Sequence, residues 1–405
     1  MDPSGGEVKY EPVSVKAVLA EMKDTAELLI DLSFSAVLNG SDDIAREVLD
    51  LEARMDVLQM QARMSLLMAA RSPEDTEQLA PVLGVVGAAE KISDAAGDIA
   101  KVVLEDIGLP DAMRAALPEA VETLVRAEVA ADSSLAGRTL GDLNVETETG
   151  VRIIAIRRAD DWITNPDRDT ALEAGDTVLL RGPEEGVADV YRRATGATYE
   201  PPDPPEPGIE DLERAVDSIV LMKNISELAV DLAYGSVLFD SAEVAEEVVE
   251  LEAEVDALQS RFEAWTLRAA ARVDDPVSLR GLVHLANATE VISDAAVEIS
   301  EGVLRGLGTH PVVEQAVEES DEVIVRLTVA PDSEFDRVTL GDREVKTETG
   351  MRVIAVRRSE DGERNWIIQP GPETELRAGD VFIAKGTRSG AERLAELTGA
   401  EYSAE

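Results

Sequence analysis

The chain has no cysteine, which removes disulfides, thiolate nucleophiles and thiolate metal sites together. Histidine is almost as scarce. His284 and His310 are the whole supply, and neither has a mate at metal-ligand spacing. His284 reads as a helix residue, and His310, before Pro311, as a turn residue. No apolar run approaches the ~20 residues that span a bilayer, and the polar start MDPSGGEVKY lacks the apolar core of a signal peptide. A soluble, cytoplasmic chain without membrane insertion is expected. No G-x-S-x-G, Walker loop or H-E-x-x-H occurs, and GVVGAAE (84–90) sits inside a helical pattern, so no enzyme is expected.

Positive charge is also in short supply: 38 basic residues stand against 83 acidic ones, for a net charge of −45 over 405 residues. Such a chain repels phosphate backbones, which excludes nucleic acid as a partner and disfavours anionic membranes. In molar salt the Debye length falls to ~3 Å and self-repulsion is screened. The composition therefore implies a halophilic, salt-rich cytosol, and the melting temperature is expected to rise from low to molar KCl.

What the sequence does contain is itself, twice. At an offset of 200, LEARMDVLQ (51–59) aligns with LEAEVDALQ (251–259), EKISDAAGDI (90–99) with EVISDAAVEI (290–299), and TLGDLNVETETGVRIIAIRR (139–158) with TLGDREVKTETGMRVIAVRR (339–358). A four-residue insertion near Gly362 shifts the tail, so LEAGD (172–176) faces LRAGD (376–380). EPPDPPEPG (200–208) between the copies reads as a semi-rigid linker.

Each copy changes character partway. Residues 13–38, 42–71 and 73–107 carry apolar residues at helical spacing, with Ser72-Pro73-Glu74-Asp75 as a helix start and Pro81 as a kink. Short β-rich runs follow at 121–130, 151–158 and 176–182, with a short helix and loop at 133–143 and a closing helix at 186–196. The fold class is α+β: two tandem units, each an antiparallel three-helix bundle followed by a small βαββα module. The expected boundaries are bundle 11–118, module 120–199, linker 200–208, bundle 209–318 and module 320–403.

Every bundle helix carries Glu-x-x-x-Asp: Glu27/Asp31, Glu52/Asp56 and Glu90/Asp94, then Glu227/Asp231, Glu252/Asp256 and Glu290/Asp294. Spacing of four puts both carboxylates on one helix face. Carboxylates facing each other across a bundle hold hard cations, a divalent metal or potassium, without cysteine or histidine. In so acidic a chain, such pairs also arise as ordinary salt-bridged faces. The pairs recur in both copies where other acids drift, and Glu90 and Asp94 continue the stripe Leu79, Leu83, Val86. Lys23 and Lys223, four residues before Glu27 and Glu227, are candidate neutralising partners.

The helical segments with their repeated Glu-x-x-x-Asp pairs resemble the PhoU domain, a regulatory bundle of phosphate uptake whose members carry metals on such motifs. The TGVRIIAIRR, ITNP and LEAGDTVLLRG runs resemble the TrkA C-terminal domain, RCK_C, a cytosolic ligand-sensing part of potassium channels and transporters. Together they cover nearly the whole chain as PhoU–TrkA_C–PhoU–TrkA_C, the arrangement of a haloarchaeal-type regulator of potassium transport. The resemblance implies that the modules pair within the chain and bind cyclic di-AMP or an ion across the pair. The implied ligand residues are Ile153, Ile154, Arg158, Asn165 and Pro166, and Val353, Ile354, Arg358, Gln369 and Pro370, with Gln369 departing from the expected Asn. On the residues alone, Arg157-Arg158 and Arg357-Arg358 read equally well as solvated strand ends. The implied partner is a membrane potassium channel or cation transporter subunit, with the protein peripheral to the membrane through it, and a homodimer remains open. A PhoU-type metal-binding adaptor of phosphate uptake is the alternative.

Overall fold

A computed structural model of the protein describes residues 14–69, 72–109, 123–145, 149–159, 161–164, 166, 168–182, 184–199, 209–307, 311–319, 322–343, 345–360, 363–368 and 370–400. The helical periodicity folds as read. In the first copy α1 is Val15–Asn39, α2 Asp42–Ala69 and α3 Pro73–Leu104, the last continuous through Pro81. Gly40 ends α1 in the left-handed region at φ 59, where its N–H reaches back to Val37 O and Ser41 N–H to Ala36 O. Only a residue without Cβ takes that turn cheaply.

Module one is β1 Thr123–Glu128, a single turn α4 Leu140–Leu143, β2 Arg152–Arg158, β3 Asp161–Thr164, β4 Thr177–Gly182 and α5 Glu184–Thr195. Strand β3 corrects the sequence reading, which had three strands. Its four residues are too few to show alternation, and it forms only as the return arm of a hairpin with β2. The sheet is antiparallel in the order β1-β4-β2-β3.

The second copy repeats this plan: α6 Glu210–Leu238, α7 Ala242–Ala270, a 3-10 turn Pro276–Leu279, α8 Arg280–Leu304, then α9 Pro311–Glu319, β5 Glu322–Thr328, β6 Val338–Thr339, α10 Val345–Thr349, β7 Met351–Glu360, β8 Glu363–Ile368, β9 Glu375–Leu376, β10 Val381–Thr387 and α11 Arg388–Thr398. Its main sheet runs β5-β10-β7-β8. The four-residue insertion is spent lengthening the β7–β8 hairpin. His284 lies exposed on α8, while His310 falls outside the described residues.

The copies interlock. Helix α3 packs along α8, and α9, a helix of the second copy that the sequence reading missed, packs on α1 of the first. The N–H of Gly281 donates to Gly108 O at 2.9 Å, and Lys91 pairs with Glu298. One apolar core runs through both bundles and takes in Ile154, Ala155 and Leu179 of module one with Ile324, Ile354, Ala355 and Ile383 of module two. Separate smaller cores sit inside each module. The sheets thus have two apolar faces, one for the module and one for the helices.

Candidate functional site

Helix α1 is apolar nearly all round, as a helix covered on several sides must be. Lys23, Glu27 and Asp31 interrupt it at spacing of four, so they share a single stripe. Because that stripe is covered, its charges need partners from whatever covers them. Lys23 Nζ lies 2.8 Å from Glu27, and Lys223 lies 2.6 Å from Glu227 on α6, so both lysines neutralise the glutamates as their spacing suggests.

The remaining partners come from the sheets. Arg181 on β4 reaches Asp31 at 2.9 Å. Its counterpart after the insertion, Lys385 on β10, reaches Asp231 at 2.5 Å and Glu27 of the first copy at 3.4 Å. Arg352 on β7 lies 3.3 Å from both Glu227 and Asp231. Arg352 and Lys385 are directly cross-strand, as are Arg152 and Arg181 in module one. Lys23 also lies over the ring of buried Tyr234, 5.5 Å from its centroid. The two modules therefore place strand bases on carboxylates from the first helices of both bundles, in one largely buried ionic junction. Charge-assisted bonds of this length are strong, and leaving any member unpaired is expensive.

Electrostatics divides the junction. Burial pushes the Asp31 carboxyl up, and Arg181 pulls against it. For Glu227 burial acts in the same sense, but Lys223, Arg352 and Arg181 together hold its carboxyl well below the ordinary value. The Tyr234 phenol is pushed far up by burial and by the nearby Glu27 and Asp24.

The other carboxylate pairs lie elsewhere. Glu52 and Glu90 are half-buried, and Asp56 and Asp94 are exposed, as is Leu83. The Leu79–Leu83–Val86 line is thus not a core stripe; the buried face of α3 is Val82, Val86, Ala89, Ile92, Ala96 and Ile99. In the first bundle the chain supplies its own cations: Arg63 lies 3.1 Å from Glu90 and Lys101 3.6 Å from Glu52. In the second, the equivalent positions are Glu263 and Glu301. There burial raises Glu252, Glu290 and Asp294, and Asp256 adds to all three. Among the described residues no three carboxylates or histidines are gathered to hold a metal ion. The two bundles thus differ in charge rather than in a gathered donor set: the first gives Glu52 and Glu90 bases of its own, and the second has acids at the equivalent positions.

These shifts set a pH dependence. Asp31, Glu52, Asp94, Glu252, Glu290 and Asp294 bind protons more tightly folded than unfolded, so stability falls as pH rises through their folded values. The lowered Glu227 acts oppositely: its contribution holds down to the ordinary carboxylate range and is lost below it. The urea midpoint in molar KCl is expected to rise as pH drops from neutral toward that range, then fall. A midpoint that declines monotonically from neutral pH would contradict this.

The residues assigned to a ligand by resemblance are split by a bulge. Ile153 pairs with Leu180 and Ala155 with Leu179, leaving Ile154 unopposed on β4; Ile354 is the equivalent extra residue on β7. Ile153 and Val353 face the module cores, and Ile154 and Ile354 join the core shared with the helices. Arg158 forks onto buried Asp176 at 2.9 and 2.8 Å and donates to Ala171 O at 2.7 Å. Arg358 does the same with Asp380 and Glu375 O. These arginines are neither solvated strand ends nor idle donors; they pin each strand to the turn before the next. Pro166 and Pro370 are half-buried, and Asn165 and Gln369 fall outside the described residues. Among the described residues no strand of one module pairs with a strand of the other; the modules meet through the helices and the junction.

The sequence reading named the acids of this junction and the helix lysines Lys23 and Lys223 but missed the strand bases Arg181, Arg352 and Lys385. The available signal was a base kept in both copies inside a buried strand, TVLLRG and VFIAKG.

Comparison with known proteins agrees with this architecture. The PhoU domain model matches residues 19–103 and 219–303, and the TrkA-C domain model matches 124–195 and 324–399. A probable potassium channel protein 2 of Methanocaldococcus jannaschii is 29% identical over 135 residues, covering 31% of this chain and 38% of that one. The Ktr system potassium uptake protein A of Vibrio alginolyticus is 35% identical over 66 residues, covering 16% of this chain and 30% of that one. The chain therefore spans well under half the length of either relative. Among solved structures, PhoU from Pseudomonas aeruginosa aligns over 72% of this chain and 96% of its own at 12% identity and a TM-score of 0.40. The GsuK RCK domain aligns over 70% and 64% at 15% identity and a TM-score of 0.19. Scores this low add nothing to the fold description. By its four domain matches, the chain belongs to the PhoU-domain and TrkA-C-domain families and carries each domain twice, in alternation.

Proposed function

We propose that this is a cytosolic regulatory protein of potassium, or more broadly cation, transport that acts on a channel or transporter subunit in the membrane. The supporting observation is the ionic junction, where strands of both modules meet the first helices of both bundles. A ligand that prefers one arrangement of the modules shifts the population of that arrangement, and the bundles follow. The relatives' names, a potassium channel protein and a potassium uptake protein, support the choice of transport system. Cyclic di-AMP or an ion at the modules is the finer part of the proposal, as is homodimer formation.

The test pairs rubidium uptake by cells lacking the gene with isothermal titration of the full chain in molar KCl. Uptake is expected to change on deletion and to be restored by the wild-type gene. Cyclic di-AMP is expected to give saturable heat at micromolar concentrations. Unchanged uptake removes the transport role, and absent heat removes the nucleotide alone.

One observation favours a second reading, a metal-binding adaptor of phosphate uptake: the second bundle holds Glu252, Asp256, Glu290 and Asp294 without the bases that Arg63 and Lys101 supply to the first. A bound divalent cation would supply the charge that lets these carboxylates ionise together. Glu290→Gln with Asp294→Asn is expected to abolish metal retained by the purified chain, and Glu90→Gln with Asp94→Asn to leave it. Equal loss from both sets would remove this distinction.

A further inference from the structure

Helix α2 is apolar on two opposite faces. One face is the core stripe Ile44, Val48, Leu51, Met55, Leu58, Ala62 and Leu66. Across the helix, Val57, Met60, Leu67 and Met68 are 40%, 48%, 73% and 60% exposed, with half-buried Met64 between them. On a 3.6-residue helix these five form one continuous ridge.

The fold does not require this ridge. The second copy keeps the buried positions of the same helix apolar or small at Leu258, Phe262 and Thr266. At the ridge positions it has Ala257, Ser260, Ala264, Leu267 and Arg268, so only the leucine persists. The ridge also interrupts the charge pattern: residues 57–69 contain no acid, in a chain with 83 acidic residues among 405. Exposed Asp56, four residues before Met60, stands at one end. Contiguous apolar surface of this kind marks an interaction site, and flexible, polarisable methionines suit a surface that moulds to a helix.

We propose that this ridge docks a basic amphipathic helix of a partner protein, with its apolar face on Met60, Met64, Leu67 and Met68 and a cationic flank toward Asp56. Charge complementarity selects that occupant. A net charge of −45 favours a Lys/Arg-rich segment in direct contact over an acidic one or anionic lipid. The proposal rests on the regulatory reading and deepens it: cytoplasmic segments of membrane proteins carry an excess of Lys and Arg, and such a helix seats its apolar anchors in this mode.

The experiment is fluorescence anisotropy of a labelled leucine–lysine amphipathic helix peptide against the full chain in molar KCl, where non-specific attraction is screened. Saturable binding is expected, weakened about tenfold or more by Met60→Gln with Leu67→Gln, and unchanged by Leu267→Gln. Circular dichroism and the urea midpoint report whether the double variant is folded; Met68→Gln alone provides a milder second variant. A leucine–glutamate peptide of the same pattern is expected not to bind. Absent binding, binding insensitive to the ridge variants, or equal binding of the acidic peptide overturns the proposal. So does self-association by sedimentation, or binding to zwitterionic vesicles, that the variants abolish. Rubidium uptake separates the two readings. Full complementation by Met60→Gln with Leu67→Gln sinks the ridge and spares the regulator, whereas uptake independent of the wild-type chain sinks the regulator and leaves peptide binding to stand.

Discussion

Lys385→Met is expected to destabilise the folded chain by roughly 3–5 kcal/mol, the usual cost of removing one partner from a buried ion pair. Lys385 is 8% and Asp231 1% exposed at the side chain, so water cannot take over the lost interaction. The lysine serves carboxylates of both copies, and its loss leaves Asp231 with only the longer contact to Arg352 and takes one of two lysines from Glu27. Two further variants make the result interpretable. Lys385→Arg imitates Arg181 at the equivalent position and is expected to be tolerated. Adding Asp231→Leu to Lys385→Met is expected to recover part of the loss, because removing both charges costs less than orphaning one. Guanidinium unfolding would contaminate a charge experiment with its own salt, so urea in constant molar KCl is the measurement. A Lys385→Met midpoint equal to wild type would mean that the strand bases do not hold the junction together.

The second large effect is expected at Glu47. This α2 glutamate is 3% exposed and lies between two arginines of module one, Arg126 at 3.2 Å and Arg157 at 2.7 and 2.8 Å. Glu47→Leu leaves two half-buried guanidiniums facing each other and is expected to cost about 3–5 kcal/mol. The internal repeat supplies the control. In the second copy Arg357 pairs instead with Glu243, whose side chain is 34% exposed, so Glu243→Leu is expected to cost under about 1 kcal/mol. Hydrogen exchange localises the effect: amides of β1 and β2 lose protection in Glu47→Leu, whereas β5 and β7 barely change in Glu243→Leu. Comparable losses from the two variants would show that burial does not set the difference.

Much of this fold was legible because its signals are long. The apolar periodicity of residues 15–104 and Pro73 after Ser72 each mark a helix or its start by a local physical rule. What escaped was short or non-local. Trp162, Ile163 and Thr164 become a strand only by pairing with β2. The helix Pro311–Glu319 is stabilised by α1, some 280 residues earlier in the chain. The ionic junction was half legible. Lys23 before Glu27 is a local pattern, whereas the meeting of Lys385 with Glu27 depends on how a sheet lies across a helix, which local spacing does not encode. Arg158 and Arg358 show the same limit: an arginine at a strand end looks solvated until the fold brings a buried aspartate beneath it.

The threading of α9 onto α1, with Lys385 bonded into the other copy, has a consequence for how the two halves stay together in a cell. A sensor assembled from two identical chains falls apart on dilution and trades subunits with its neighbours, so its set point drifts with its own abundance. Here both halves are made in one pass of the ribosome and stay at unit stoichiometry, and each is free to carry what the other lacks. Contact between the halves is then independent of how many copies of the protein are present.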